Sequence, residues 1–322
     1  MDDKYSRLRA VLSLGKEELV KQFSQEFYDY YKETLFLNSA IMRGYMERCK
    51  YFLDTVNGAG KTILDVGCGH GVQSLHFAAL GAKHIFSIDI NKDKIAVFKK
   101  LIRKTEINNI SIKLRNAIKT GFPDNFFDAV ICNEVISHVS DYRLFLTEMQ
   151  RILKKGGLIF VIDGNNALNP KSVKSTADIQ EKAENGPVSG TGLKKPYIEM
   201  RKEIIQKSFK NINKEKVSEL SVLTKGLNKQ QIKIVVKQYL KNKIITVKPN
   251  YPVVNPLTSE LPEQLFNPYE LAEEFRKAGF SESYARPSLP FRADRKLLRI
   301  MLKPFYPIIL KHSNTFEIIA EK

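Results

Sequence analysis

Residues 61–71 read KTILDVGCGHG, an apolar β-branched run that breaks into three closely spaced glycines. The apolar run Ile63–Val66 suits a central strand of a parallel sheet, because such a strand is buried on both faces. Gly67, Gly69 and Gly71 cannot continue it, but they let the backbone take positive φ and let a ligand lie where a Cβ would collide. The stretch predicts a buried strand that leads directly into a ligand-binding turn.

The residues after this turn extend the pattern. Val72–Leu80 has helical periodicity and stops at Gly81, a residue that commonly ends helices. The next predicted strand, Lys83–Ile90, ends near Asp89. That acid lies about twenty residues past the first glycine, where nucleotide-binding α/β folds place a carboxylate for ribose hydroxyls. The spacing predicts a nucleoside site at the carboxyl edge of a parallel sheet.

The glycine spacing distinguishes this site from two known phosphate-binding motifs. A G-x-G-x-x-G dinucleotide fingerprint needs glycine where this chain has Val72. The pattern is instead D-x-G-x-G-x-G, beginning at Asp65. No GKS or GKT follows, so a Walker loop is excluded.

With this motif and Asp89, residues 63–164 resemble the class I S-adenosylmethionine-dependent methyltransferases. The resemblance implies a doubly wound, Rossmann-like α/β sheet of seven strands in the order 3-2-1-4-5-7-6, with strand 7 antiparallel. It implies an enzyme that uses S-adenosyl-L-methionine and releases S-adenosyl-L-homocysteine.

The resemblance also implies which residues hold the cofactor. The glycine turn would pack against the methionine part, Asp65 would support its amino end, and Asp89 would bind the ribose. Asn116 lies where the family commonly has an Asp that bonds the adenine amino group, and its carbonyl can accept that bond. An amino-terminal tyrosine, Tyr28 or Tyr31, would close over the cofactor. The predicted set is Asp65, Gly67, Cys68, Gly69, Gly71, Asp89, Ile90, Asn116, Ala117, Asn133 and Tyr31.

Methyl transfer requires the acceptor atom to lie in line with the S–CH3 bond, with water excluded. An oxygen acceptor must also lose a proton, to a base of near-neutral pKa or with help from a metal. His138, after the fourth predicted strand, is the first choice for that base. The pattern E-x-x-x-H-V is frequent in the family with a packing or lid role, so that alternative stays open. Asp163, Tyr197 and Glu199 are second choices.

The segment after the fourth strand bears on the acceptor. Family members that methylate amide or base exocyclic nitrogens usually carry N/D-P-P-Y/F there, whereas this chain reads NEVI at 133–136. The EVISHVSD segment resembles the branch that modifies quinones, sugars and natural products. The leading hypothesis is therefore O-methylation of a small molecule or glycan.

Three parts are predicted along the chain. Residues 1–57 form an aromatic-rich helical cap, and residues 58–163 with 266–322 form the methyltransferase core. Residues 164–265 form a basic insertion with turn clusters (NPKS, ENGPVSGTG) and helices at Pro196–Phe209 and Gln230–Leu240. Because a connection this long is normally functional, we predict a lid over the acceptor site.

The excess of basic residues is compatible with several binding partners. The net charge is +17, and residues 194–248 contain 15 Lys and Arg against 4 Glu. Such a patch suits RNA, an acidic lipid surface, a phosphorylated substrate or solvent alone. An RNA methyltransferase is the second hypothesis, and a non-catalytic binding protein with the cofactor fold is the third.

Two further features concern metals and membranes. The three cysteines, Cys49, Cys68 and Cys132, lack metal-ligand spacing, so we expect no metal and no redox role. No run reaches transmembrane length and the amino terminus does not read as a signal peptide, which predicts a cytoplasmic protein. Arg292–Lys311 is both basic and apolar, and a helix ended by Pro304 and Pro307 is predicted there. That helix either packs on the sheet or contacts an anionic membrane. The oligomeric state stays open.

Overall fold

The computed structural model describes residues 14–31, 39–56, 58, 60–105, 107–189, 191–288 and 300–322. The side chains of residues 30, 31, 39–43 and 45 are not part of that description. A seven-stranded sheet has the order β3-β2-β1-β4-β5-β7-β6. The strands are β1 (Thr62–Val66), β2 (His84–Asp89), β3 (Ile110–Leu114), β4 (Phe127–Asn133), β5 (Leu153–Asp163), β6 (Glu282–Pro287) and β7 (Phe316–Glu321).

Helices precede the first strand and occupy connections between the strands. In chain order they are α1 (Lys16–Gln22), α2 (Gln25–Tyr31), α3 (Ser39–Thr55), α4 (Val72–Ala79), α5 (Lys92–Thr105), α6 (Tyr142–Ile152), α7 (Pro170–Asn185), α8 (Tyr197–Ser208), α9 (Lys214–Leu223), α10 (Lys229–Asn242), α11 (Pro268–Lys277) and α12 (Tyr306–His312). Short 3-10 turns lie at Ile136–His138 and Lys303–Phe305. Within the described ranges, none of the helices combines the length and the apolar content that a membrane span requires.

β1 is the centre of the sheet. It pairs in parallel with β2 on one side and β4 on the other, and Ile63, Leu64 and Val66 are almost completely buried. Only β7 runs antiparallel, between β5 and β6. The predicted fold, including the position and direction of strand 7, is confirmed. Because the other strands are parallel, their carboxyl ends meet at one edge, where ligands of open α/β sheets bind.

α6 ends at Ile152 and β5 begins at Leu153, which pairs with Phe127 before a register shift. One local prediction, the helix within Arg292–Lys311, needs correction in part. The helical residues 300–302 end before Pro304, which lies in a 3-10 turn, but Pro307 does not end a helix. Pro307 lies in the first turn of α12, where a missing N–H costs nothing. Residues 292–299 of that predicted helix lie outside the described part.

The chain divides into two compact units. Unit 1 comprises Met1–Ile136, Asp141–Gly164 and Pro268–Lys322, and therefore includes the sheet and the amino-terminal helices. Unit 2 comprises Ser137–Ser140 and Asn165–Asn267, which is nearly the predicted insertion.

Unit 2 has its own core, formed by the apolar faces of α8, α9 and α10. The cluster NPKS, predicted as a turn, instead begins α7: Asn169 caps the helix and Pro170 is its first residue. A buried ion pair joins α7 to α8, because the Arg201 guanidinium donates to both carboxylate oxygens of Glu184 and to the Ser221 carbonyl. Removing one partner of such a pair typically costs about 3–5 kcal/mol of folding free energy.

Candidate functional site

The turn after β1 has space for an added side chain at its middle glycine, Gly69, but not at the glycines on either side. A Cβ built on Gly67 would lie 2.2 Å from Val135, and one on Gly71 would lie 2.0 Å from the Phe98 ring. A Cβ on Gly69 would meet nothing within 4 Å. The outer glycines therefore allow close packing, whereas Gly69 borders space that a ligand can enter.

The Asp89 carboxylate is fixed beside this open position. Its Oδ2 accepts from the Gly69 N–H at 2.8 Å, and its Oδ1 accepts from the Asn91 N–H at 2.8 Å. A carboxylate offers about four acceptor positions, so each oxygen can still accept another hydrogen bond. This arrangement suits the paired hydroxyls of a ribose.

Asp65, at the end of β1, is 2% exposed and accepts hydrogen bonds from Ser74 Oγ at 2.5 Å and Gln73 Nε2 at 3.3 Å. Burial, with a smaller contribution from the charge of Asp89, raises the pKa of Asp65 to about 7. Gln73 Oε1 is buried and has no hydrogen-bond partner among the described residues. The Asp65 carboxylate and Gln73 Oε1 are both hydrogen-bond acceptors, and Gln73 Oε1 has no donor from the described part of the chain. An ammonium group would supply the missing donors.

Four other predicted cofactor residues lie in the same unit. Cys68 is buried in the turn, and burial raises the pKa of its thiol, so it is not a nucleophile there. Asn116 is exposed after β3, and its Oδ1 accepts from the Ile118 N–H at 3.0 Å, which leaves one lone pair for a ligand. Ala117 is buried and Ile90 is 37% exposed.

An aromatic residue of α2 contacts the glycine turn. The Phe27 ring packs edge-on against His70, with centroids 5.6 Å apart. Tyr28 lies partly buried, with Lys16 Nζ 5.5 Å from its ring centre. The side chain of Tyr31 lies outside the described part, so its role stays a prediction.

The carboxyl ends of β4 and β5 carry polar groups. Asn133 Oδ1 accepts a long hydrogen bond, 3.5 Å, from Arg48 Nη1 on α3. The Glu134 carboxylate accepts from the Gly164 N–H at 3.1 Å and so joins the two strand ends. Asp163 is fully buried, which disfavours its predicted catalytic role.

His138 belongs to unit 2 and lies beside a carboxylate. Its Nδ1 is 3.0 Å from the Leu261 carbonyl oxygen, which can only accept, so Nδ1 carries a proton. Nε2 lies 3.8 Å from Glu263 Oε1. Asn165 donates to Glu263, and the Thr176 hydroxyl donates to Asn165 at 2.8 Å. His138 thus has a defined tautomer and a positioned carboxylate.

The two second-choice residues of α8 are less suited to catalysis. Tyr197 is 2% exposed and packs with Ala183, Met200 and Val253, and burial raises its pKa. Glu199 is half exposed and pairs with Lys202 at 2.7 Å. Tyr197 therefore functions in the core of unit 2.

Sequence reasoning missed Gln73, Arg48 and Glu263. Gln73 has only one signal in the sequence, its place in the first helical turn after the glycines. Arg48 and Glu263 carry none, because they reach their partners across 85 and 125 residues of chain.

Comparisons with known proteins agree with this geometry. A family model described as a methyltransferase domain matches residues 57–216. A demethylmenaquinone methyltransferase of Geobacillus sp. is 29% identical over 155 residues, which cover 46% of this chain and 64% of the relative. A ubiquinone/menaquinone biosynthesis C-methyltransferase of Vibrio cholerae is 30% identical over 156 residues, covering 47% and 60%. The chain thus spans less than two thirds of these relatives.

One solved structure extends the likeness in fold. The phosphoethanolamine N-methyltransferase 2 of Haemonchus contortus, in complex with phosphomonomethylethanolamine and S-adenosylhomocysteine, aligns with a TM-score of 0.50 at 14% identity. The alignment covers 94% of this chain and 59% of that one. At this identity the likeness concerns the fold alone.

Because Gly69 borders open space, substituting it should affect ligand binding more than stability. Gly69→Ala should weaken S-adenosylhomocysteine binding by about tenfold or more, because its methyl group enters the ligand space, and should cost only about 1–2 kcal/mol of stability from its positive φ. Gly71→Ala should destabilise the fold by roughly 2 kcal/mol or more through overlap with Phe98. Calorimetry and thermal unfolding measure both effects.

Gly81→Ala is the matched control, because Gly81 also has positive φ and open space but ends α4 on the side away from the turn. It should share the strain and keep the affinity. Wild-type affinity in Gly69→Ala would contradict a ligand at this position.

Asp65 predicts a pH dependence of ligand binding. A cationic amino group would lower the pKa of Asp65 from about 7, so binding releases a proton wherever the free protein is protonated. Affinity for S-adenosylhomocysteine should therefore rise with pH, by up to about tenfold per unit, and level off above pH 7. Burial lowers the pKa of His70 to about 4, so His70 does not titrate in this window.

Calorimetry between pH 5.5 and 8.5 in buffers of different ionisation enthalpy measures both the affinity and the released proton. Asp65→Asn should bind more weakly and lose the dependence. The same slope in wild type and variant would assign the proton to another group.

Proposed function

We propose that the chain, a member of the class I S-adenosylmethionine-dependent methyltransferases, transfers a methyl group from this cofactor to a hydroxyl-bearing small molecule or glycan. The observation that carries the proposal is the Asp89 carboxylate held beside the open glycine of the β1 turn. That pair combines a ribose-binding acid with room for the ligand, at the edge of the sheet where the fold binds ligands.

The described residues fit S-adenosylmethionine, the cofactor of the family. Asp89 would accept its ribose hydroxyls, Asp65 and Gln73 Oε1 would receive its amino group, and Asn116 Oδ1 would accept from its adenine amino group. When bound, the cofactor supplies an electrophilic methyl group on a sulfonium. The protein must then hold the acceptor in line and exclude water.

The comparisons favour an acceptor with an aromatic hydroxyl. The relatives named above act, by their names, on demethylmenaquinone or in ubiquinone and menaquinone biosynthesis as C-methyltransferases. In a deprotonated phenol or quinol the negative charge is shared between the oxygen and the neighbouring ring carbon. The same loss of a proton therefore prepares either O-methylation or C-methylation, and we propose a quinol-like ring as the first acceptor class to test.

His138 is our proposed base. With Nδ1–H donating to the Leu261 carbonyl, the lone pair of neutral His138 is on Nε2 and can take the proton of an acceptor hydroxyl. The nearby Glu263 carboxylate would stabilise the imidazolium that results. Asn165, itself bonded to Thr176, orients that carboxylate.

His138→Asn tests this role. The asparagine amide can still donate to the Leu261 carbonyl but has no group equivalent to Nε2, so turnover should fall by roughly 100-fold or more. Glu263→Gln should lower turnover less, because the imidazolium forms but loses its stabilising charge. Calorimetry with S-adenosylhomocysteine should give unchanged affinity in both variants. Full turnover in His138→Asn would exclude the base.

The function itself is tested by incubating the protein with methyl-labelled S-adenosylmethionine and separate acceptors: a reduced naphthoquinone, a catechol, an oligosaccharide and total RNA. We expect label in a hydroxyl-bearing small molecule or oligosaccharide, with mass spectrometry of the product distinguishing oxygen from carbon. Asp89→Asn, which should bind the cofactor more weakly, serves as the control with reduced labelling. Label in RNA alone would overturn the proposed acceptor class.

RNA stays the second candidate because of one feature of α10. Lys229, Lys233, Lys237 and Lys241 are exposed and spaced by four residues, so they form one basic stripe. If this stripe binds RNA, the logarithm of affinity should fall with the logarithm of salt by roughly 0.7 per phosphate contacted. Tight RNA binding at physiological salt that is lost in Lys233→Gln/Lys237→Gln would favour this candidate.

A further inference from the structure

The last helical segment of unit 1, residues 300–312, exposes several large apolar side chains. Met301 is 70% exposed, Phe305 54% and Ile308 60%, and Ile300 next to them is 55% exposed. Positions 305 and 308 are spaced as neighbours on one side of a helix, and Met301 is exposed about one turn before them. Leu310, on the other side, is fully buried. Leu310 therefore packs the segment against the core, and the four exposed side chains point away from it. We call Ile300, Met301, Phe305 and Ile308 the outer face.

This pattern is the reverse of an ordinary surface helix. A helix on a core normally turns its polar side to water, and single exposed apolar residues are common. Four large apolar side chains within nine residues are a different case, because contiguous exposed apolar surface marks an interaction site. Pro304 and Pro307, both exposed, add further apolar surface between them.

The charges around the outer face indicate the partner. Lys303 and Lys311 are exposed, and neither forms an ion pair with a carboxylate in the part of the chain that the structure describes. The sequence contains no Asp or Glu from position 295 to 316, and it has Arg295, Lys296 and Arg299 just before the segment. An apolar face with an unneutralised basic rim complements a surface that is negatively charged outside and apolar beneath.

We propose that the outer face binds the surface of an anionic lipid bilayer. Met301, Phe305 and Ile308 would enter the boundary between headgroups and acyl chains, and Lys303 and Lys311 would contact lipid phosphates. The segment is too short to cross a bilayer and lies in its plane. This inference is independent of the proposed methyl transfer.

Co-sedimentation of the full chain with vesicles tests the proposal. One set contains phosphatidylcholine alone and the other phosphatidylcholine with phosphatidylglycerol, each at low and at physiological salt. The protein should sediment with the anionic vesicles, and less so as salt rises. Equal recovery in the supernatant with both vesicle types would overturn the proposal.

Substitutions assign the binding to this segment. Met301→Gln/Ile308→Gln should weaken vesicle binding by about tenfold or more, and Lys303→Gln/Lys311→Gln by about fivefold for each lysine. Matched controls in unit 2, Val222→Gln/Leu257→Gln and Lys233→Gln/Lys241→Gln, change equally exposed residues and the same charge. Controls that weaken binding as much as the tested pairs would overturn the assignment to the outer face.

A single tryptophan reports depth, because the natural chain contains none. Phe305→Trp should shift its emission to the blue with anionic vesicles and be quenched by brominated acyl chains. Leu257→Trp, in unit 2, should show neither effect. Self-association in the absence of vesicles that Met301→Gln/Ile308→Gln abolishes, with no emission shift at position 305, would identify a second copy of the chain as the occupant and overturn the membrane proposal.

Discussion

The hydrogen bond from the Gly69 N–H to the Asp89 carboxylate is the interaction on which the cofactor site depends. It joins the loop after β1 to the last residue of β2, the neighbouring parallel strand. Gly67 and Gly71 let the backbone pass against Val135 and Phe98, and this packing fixes the direction in which the Gly69 amide points. The turn is thus rigid on its packed sides and open on one.

The same constraint explains the chemistry of Asp65. Because β1 is central and buried, its last acid has little access to water and relies on Ser74 and Gln73 for hydrogen bonds. A nearby second carboxylate, Asp89, adds to the cost of its charge. A cationic ligand would offset that cost, so its binding would lower the pKa of Asp65.

Much of this arrangement was predictable from sequence, for identifiable reasons. The β1 turn and Asp89 follow from local patterns, since strand, glycines and acid are contiguous features with fixed spacing. The order of the strands came from the family resemblance, and the structure confirms it. What sequence did not predict depends on contacts between distant residues, such as Arg48 with Asn133 and His138 with Glu263. Local composition misled at NPKS, where the residues of a turn are also those that begin a helix.

The central claim is that Asp89 and the β1 turn bind S-adenosylmethionine. Calorimetric titration of wild type, Asp89→Asn and Asp93→Asn with S-adenosylhomocysteine tests it most directly, because Asp93 is an exposed acid four residues along the chain. The account predicts binding by wild type and Asp93→Asn, and a loss of about 1.5–3 kcal/mol in Asp89→Asn from the hydrogen bonds to a charged acceptor. No binding by the wild type, or equal affinity in all three proteins, would contradict it.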